Sequence, residues 1–254
     1  MTYGSLFSGI GGIDLGLDRA GMRCIFQCET DPYACKVLEK HWPGVKRYGD
    51  ITQVNWEEAE RPDLLCGGFP CQDISQAGKR AGITGNKSKL WKEYLRAICL
   101  LRPNHIIVEN VSALLVRGLD VVLSDLARGG YDAEWGVLSS AGVGKDHQRR
   151  RVFVYAYPHS GDTAEERVEV GRGGRLTCTF HAVEAYVVSR DQTAQEPGIH
   201  RVATGIPSQL DRLKCLGNAV DVQVAERLGK AIMEYESNHN PQQISQTTQE
   251  NATC

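Results

Sequence analysis

The sequence predicts an α/β fold: a largely parallel, doubly wound sheet with helices on both faces. Short apolar runs at Tyr3–Phe7, Cys24–Cys28, Pro62–Cys66 and His105–Val108 read as buried strands and alternate with stretches of helical spacing. The first run leads into Ser8-Gly9-Ile10-Gly11-Gly12 and then a helix pattern from Ile13 to Ala20, ended by Gly21. Strand, glycine loop and helix start form the opening unit of a nucleotide-binding sheet. Residues poorly suited to a core, a Pro-Cys pair and a glutamate, stand just past apolar runs, at the sheet edge where open α/β folds bind ligands.

With 254 residues, the chain suits one large domain or one domain plus a small one. Its 41% hydrophobic and 24% charged content is ordinary for a globular protein. Nine cysteines follow a start with no basic region and no long apolar run, so reduced thiols and a cytosolic compartment are expected. No Cys-x-x-Cys pair occurs, which argues against a structural zinc site, and no stretch approaches transmembrane length. Net charge is −2, but its distribution is uneven. Lys79, Arg80, Lys87, Lys89 and Lys92 form a run with no acidic residue, and four basic residues between Lys145 and Arg151 meet only Asp146. Two such runs favour a polyanionic partner over a merely solvated surface.

Glu29 follows the second strand about twenty residues past Gly9, the distance at which an acidic residue meets a ribose diol. Asp50 ends a third strand. Alone it reads as a turn residue beside Gly49; with the glycine loop and Glu29 it completes an adenosine-type pocket. Asp14 stands where a dinucleotide fingerprint has its third glycine, and a carboxylate there disfavours a pyrophosphate. A cofactor without phosphate, with ribose, adenine and a cationic sulfonium, fits: S-adenosylmethionine. After the fourth strand, Gly67-Gly68-Phe69-Pro70-Cys71-Gln72 bends the backbone and fixes φ before a cysteine. Cys71 is read as reactive; Cys24, Cys28, Cys35, Cys66, Cys99 and Cys215 are read as buried structural cysteines. The polar, glycine-dotted segment to Lys89 suits a mobile lid.

A helix follows with Leu90, Tyr94, Ala97, Ile98 and Leu101 on its buried face, stopped by Pro103. His105–Val108 ends in Glu109-Asn110-Val111, a carboxylate whose burial would raise its pKa. A helix from about Gly118 to Ala127 leads to two last strands, Ala133–Ser139 and Arg151–Tyr157. If the latter begins early enough, Arg149 and Arg151 share a face. Residues 158–211 change character and read as a small second region with a connector. Asn218 and Val220, in Gly217-Asn218-Ala219-Val220, precede a helix carrying Val224, Leu228 and Ile232, and the polar tail 237–254 is expected to be disordered.

In this order the motifs resemble the DNA (cytosine-5)-methyltransferases. Phe7-Ser8-Gly9-Ile10-Gly11-Gly12 is similar to the family's cofactor loop, Gly68-Phe69-Pro70-Cys71-Gln72 to its nucleophile motif and Glu109-Asn110-Val111 to its catalytic acid motif. His147 to Arg151 resembles the Gln-x-Arg-x-Arg element, and Gly217 to Val220 the closing Gly-Asn-(Ser/Ala)-Val. His147 stands where glutamine is commoner, Asp146 where a proline often sits, and the region before the closing motif is short. The resemblance implies a Rossmann-like methyltransferase sheet formed by 1–157 and 212–236, with 158–211 as a small target recognition region. It implies base flipping, and catalytic roles for Cys71, Glu109, Arg149 and Arg151, with Asn110 supporting them. The cofactor, S-adenosyl-L-methionine, which becomes S-adenosyl-L-homocysteine, would meet Phe7, Gly9, Ile10, Gly11, Gly12, Glu29, Asp50, Ile51, Gly68, Pro70, Asn218 and Val220; no metal is implied. Double-stranded DNA would meet Gln72, Ser75, Lys79, Arg80, Lys87 and Lys89. The chain is expected to act as a cytoplasmic monomer in a bacterial or phage-infected cell, without a membrane and with a cognate restriction endonuclease as the protein partner suggested. A transfer-RNA methylase of the same family is the alternative, but its Cys-Phe-Thr signature is missing here. An NAD-dependent oxidoreductase has no need of Phe-Pro-Cys-Gln, and a thiol redox enzyme lacks a resolving cysteine close to Cys71.

Overall fold

The computed structural model describes residues 1–70, 89–146, 148–159, 215 and 218–239. Among them, seven strands form one sheet: β1 (Thr2–Leu6), β2 (Arg23–Cys28), β3 (Lys46–Tyr48), β4 (Leu64–Gly67), β5 (His105–Val111), β6 (Tyr131–Ser139) and β7 (Arg150–Pro158). Their order is β3-β2-β1-β4-β5-β7-β6. The first five are parallel, and β7 runs antiparallel between β5 and β6. Parallel neighbours need crossovers. Those between described strands are supplied by α1 (Gly12–Arg19), α2 (Pro32–His41) and, from β5 to β6, the single turn α4 (Leu114–Arg117) with α5 (Leu119–Arg128). α3 (Lys89–Leu101) precedes β5, and α6 (Val222–His239) returns to pack on α1.

Strand alternation sorts the apolar residues into two layers. Leu65, Ile106, Val108, Val152 and Val154 join α3 and α5 on one face. Leu64, Cys66, Ile107, Phe153 and Tyr155 join Ile13 and Leu17 of α1 and Val224, Leu228 and Ile232 of α6 on the other. The α3 stripe is Trp91, Tyr94, Ala97, Ile98 and Leu101. Trp91, rather than the expected Leu90, fills the first turn because its indole donates to Asp125 of α5 at 2.9 Å, which fixes the helix rotation. Leu90 is only partly buried. Two cysteines also differ from expectation: Cys99 is exposed on the outer side of α3, and Cys35 is half-buried. Burial follows the face a position occupies, and Cys99 is out of phase with its helix's apolar stripe.

All of the second region, 158–211, but its first two residues lies outside the described residues, as do 212–214. α6 runs to His239, three residues into the segment expected to be disordered. Its far end is tied to the sheet through His105, whose Nδ1 lies 2.7 Å from the Tyr155 hydroxyl and whose Nε2 lies 3.3 Å from Glu236. No helix among the described residues is long and apolar enough to cross a membrane.

The α1–α6 crossing depends on Gly16. A Cβ there would lie 2.5 Å from the Ala225 methyl and 2.7 Å from backbone atoms of Val222 and Glu226. Alanine would gain up to about 1 kcal/mol of helix propensity. Overpacking against backbone that cannot yield costs about 1–3 kcal/mol. Gly16→Ala is therefore expected to lower stability by about 1 kcal/mol, read as a lower denaturation midpoint with unchanged slope; a midpoint at or above the parent's would refute the close-packing account.

Candidate functional site

β1 feeds α1 and β2 on one side while β4 lies on its other side, so the strand order reverses between β1 and β4. Open α/β sheets leave a crevice at such a point, at the carboxyl ends of the strands. Here it is a cleft of about 720 Å³ that extends from the glycine loop to Glu109.

At one end the backbone is arranged by acids. Phe7 leaves β1 with φ 52°, a left-handed conformation that costs a non-glycine residue free energy and clusters at functional sites. Glu29 closes the glycine loop onto β2: its carboxylate accepts from Gly9 N–H at 2.7 Å and from the N–H groups of Thr30 and Asp31 at 2.8 Å. Asp31 caps α2, accepting from Tyr33 and Ala34. Asp50 caps a 3-10 turn, Ile51–Gln53, accepting from Thr52, and itself stays exposed. Arg96 of α3 donates to the carbonyls of Ile51 and Val54 at 3.0 and 3.2 Å and holds that turn against the cleft. The Val220 carbonyl lies over Gly12, which brings Asn218 and Val220 to the same wall. Phe7, Gly9, Gly12, Glu29, Asp50, Ile51, Gly68, Pro70, Asn218 and Val220 thus border one cleft. Ile10 and Gly11 do not, and Gly11 instead faces the Trp42 ring.

The other end is built on β5. Glu109 is 7% exposed at the strand's carboxyl end. Phe153 of antiparallel β7 is its direct neighbour, so Arg151 is diagonal on the same face. The Arg151 Nε lies 3.0 Å from Glu109 Oε1. Burial pushes the Glu109 carboxyl up to about 7, against the opposing pull of Arg151 and Arg149. The carboxylate also presses on the β4 loop: a Cβ on Gly68 would come 2.5 Å from Glu109 Oε2. Any other residue at 68 would collide with the carboxylate. Asn110 points to the opposite side, donates to the Phe69 carbonyl at 3.1 Å and accepts from Val111 N–H. It ties β5 to the segment that runs on to Pro70.

Arg149 corrects one expectation. β7 begins at Arg150, and Arg149 precedes it with φ 26°, so strand alternation does not orient its side chain. Its charge nonetheless reaches Glu109. Burial and the neighbouring Arg151 lower its own pKa from the ordinary value, with Glu109 and Asp221 opposing. Cys71, Gln72, Ser75, Lys79, Arg80, Lys87 and His147 lie outside the described residues, while Lys89 is exposed at the start of α3. Sequence reasoning missed α2 with its cap Asp31, the Arg96 clamp and the Asn110 tie. Asp31-Pro32, a capping residue followed by proline at the first helical position, was the legible signal for α2. The other two are side-chain to backbone bonds between distant segments and leave no local pattern.

A family model described as C-5 cytosine-specific DNA methylase matches residues 1–176. Type II methyltransferase M2.BsuMI of Bacillus subtilis strain 168 is 39% identical over 164 residues, 61% of this chain and 42% of that protein. Type II methyltransferase M.HhaI of Haemophilus parahaemolyticus is 33% identical over 161 residues, 62% of this chain and 49% of that protein. The chain thus spans about two fifths to one half of these relatives. Among solved structures, Entamoeba histolytica methyltransferase EhMeth superposes with TM-score 0.64 at 15% identity, covering 94% of this chain and 98% of that one. S. pombe Dnmt2 methyltransferase superposes with TM-score 0.63 at 16% identity, covering 94% of this chain and 99% of that one. These two likenesses concern the fold.

The electrostatics of Glu109 give a signed expectation. Its carboxyl should titrate near 7, and the Arg151 charge holds it lower than burial alone would. Arg151→Leu should therefore raise the Glu109 pKa, by about one unit or more for loss of a close buried charge. Carbon-13 NMR of labelled glutamate across pH reads this directly. A parent value near that of a free carboxyl, or no upward move in the variant, would contradict the assignment.

Proposed function

The chain belongs to the C-5 cytosine-specific DNA methylase family, and we propose that it transfers a methyl group from S-adenosyl-L-methionine to C5 of a cytosine flipped out of duplex DNA. The observation that carries this reading is Glu109: a buried carboxylate near neutrality, paired with Arg151 and pressed against the loop that leads to Cys71.

The residues fit the cofactor. Glu29 has carboxylate oxygens at the β2 end for a ribose diol, Asp50 is exposed to accept from an adenine amine, and Phe7 and Ile51 offer apolar walls. When bound, S-adenosyl-L-methionine supplies a methyl group activated by its sulfonium. Cytosine C5 is a poor nucleophile on its own. Addition of the Cys71 thiolate to C6 makes C5 enamine-like, which is covalent catalysis. Glu109, protonated near neutral pH, donates to N3 as charge develops there and accepts from the exocyclic amine. Arg151 holds Glu109 in place, and with Arg149 it faces the base O2 and the sugar-phosphate. After C5 takes the methyl, a base removes the C5 proton, the electron pair reforms the C5–C6 double bond and the Cys71 sulfur leaves. The target atoms are inaccessible inside a duplex, so the base must leave the stack. Gln72, Ser75, Lys79, Arg80, Lys87 and Lys89 would meet the DNA, and 158–211 would carry target recognition. A cytoplasmic, monomeric enzyme with a cognate restriction endonuclease completes the proposal.

Cys71→Ser should abolish methyl transfer, because a serine hydroxyl is far less ionised than a thiol, while S-adenosyl-L-methionine still binds. Tritiated cofactor, offered with duplex DNA and separately with transfer RNA, reads both the reaction and the substrate. Near-parental turnover by the serine variant, or label entering only transfer RNA, would overturn the reading.

DNA binding should be steeply salt dependent although net charge is −2, since each phosphate contact releases counterions. Replacing Lys87 and Lys89 by alanine should flatten the slope of log affinity against log salt by roughly two units. Cognate and random duplexes should weaken alike, because phosphates carry no sequence information. An unchanged slope in titrations at several salt concentrations would mean that these lysines only solvate the surface.

A further inference from the structure

Asp14 is a buried carboxylate that the proposed chemistry leaves unused. It is 0% exposed in the first turn of α1, beneath the glycine loop, and borders the cleft. The bonds to its oxygens are neutral: Ser5 Oγ donates at 3.0 Å and Gln27 Nε2 at 2.9 Å. The titratable groups facing it are themselves acids: Tyr3 on β1, Cys24 on β2, Cys66 on β4 and Asp18 on its own helix. Tyr3 donates to the Asp14 carbonyl at 3.0 Å, not to the carboxylate. Gln27, 0% exposed, turns its N–H toward Asp14 and leaves its own Oε1 buried without a hydrogen-bond partner. That orientation sacrifices an acceptor to hold an ionised Asp14, since a protonated carboxyl would instead donate to the amide oxygen.

A buried anion held by neutral donors, with the amino end of α1 and no cationic side chain among the described residues to balance it, favours a cation in the adjoining cleft. Methyl transfer removes one positive charge from the cofactor, converting a sulfonium to a thioether. We propose that Asp14 is a charge-discriminating residue of the cleft, which favours the sulfonium of S-adenosyl-L-methionine over the neutral sulfur of S-adenosyl-L-homocysteine. The proposal rests on the methyltransferase reading above and adds to it a reason for the product to leave. Burial pushes the Asp14 carboxyl up to about 6, with the Gln27 and Ser5 hydrogen bonds opposing. The residue is therefore ionised at neutral pH, and the discrimination should vanish as pH falls through that value.

Calorimetric titration of the full chain with each of the two ligands tests this. In Asp14→Asn the preference for S-adenosyl-L-methionine over S-adenosyl-L-homocysteine should fall about tenfold, the scale of one charge pair across several ångströms of protein. The loss should come from weaker binding of the sulfonium, with the thioether nearly unchanged. A merely structural Asp14 would weaken both ligands alike, and an unchanged preference in the variant would overturn the proposal. In the parent the preference should decline between about pH 7 and about pH 5, while the asparagine variant stays flat. That comparison separates Asp14 from Glu29, Asp31, Asp50 and Glu109, which face the same cleft. If the variant does not fold, the midpoint of the parent's series decides: a decline centred near 6 supports Asp14, and a flat series, or one centred near 7 where Glu109 titrates, overturns the inference. Failure of the parent to bind either ligand would instead overturn the methyltransferase reading, and this proposal with it.

Discussion

A carboxyl near the end of a central strand, 7% exposed, meets a guanidinium from the neighbouring strand, and the Arg151–Glu109 pair ties β7 to β5 at the edge of the cleft. Without the guanidinium the carboxyl would keep its proton to higher pH, so the Arg151 charge is what brings its titration down to about 7. A parallel strand beside β5 would need a long crossover before it could deliver its side chains there. Antiparallel β7 delivers Arg151 diagonal to Glu109, with Val152 and Phe153 sealing the two apolar layers on either side. The reversal of one strand in an otherwise parallel sheet is thus tied to the chemistry at its edge.

The opposite end of the cleft uses backbone more than side chains. Glu29 gathers three N–H groups, Asp31 caps α2 and Asp50 caps the 3-10 turn, so each acid both organises a loop and borders the cleft. The Phe7 backbone, strained at φ 52°, is held by β1 on one side and by the loop's bonds on the other. Arg96, from a helix in the same core layer, fixes the turn that presents Ile51. Rigid elements place the groups, and few of them are free to drift.

Much of this was legible in the chain. Glycine loop, Glu29, Pro70 and Glu109 each stand just past an apolar run, Asp50 past the polar strand β3, and strand polarity then carries them to one edge. What local pattern could not supply was any relation between strands. The position of β7 between β5 and β6, and hence the diagonal of Arg151 on Glu109, depends on pairing β7 with β5 between residues forty or more positions apart, across the whole of β6. Strand alternation would have put Arg149 on the face of Arg151, yet its left-handed backbone lies before the strand begins. Trp91 replaced Leu90 in the buried stripe because Asp125, on another helix, captures its indole. Cysteine as a residue type does not say which way a helix faces, which is why Cys99 was misplaced.

The docking of α6 on α1 has a further consequence. Asn218 and Val220, which complete the wall beside the glycine loop, reach it only through the helix that follows them. The strands that frame the cleft are synthesised first, but one of its walls is the last of the described structure to leave the ribosome. A nascent chain halted anywhere in between would have a sheet without a competent ligand pocket. Ligand affinity is thereby coupled to synthesis of α6, the helix that docks this wall on α1.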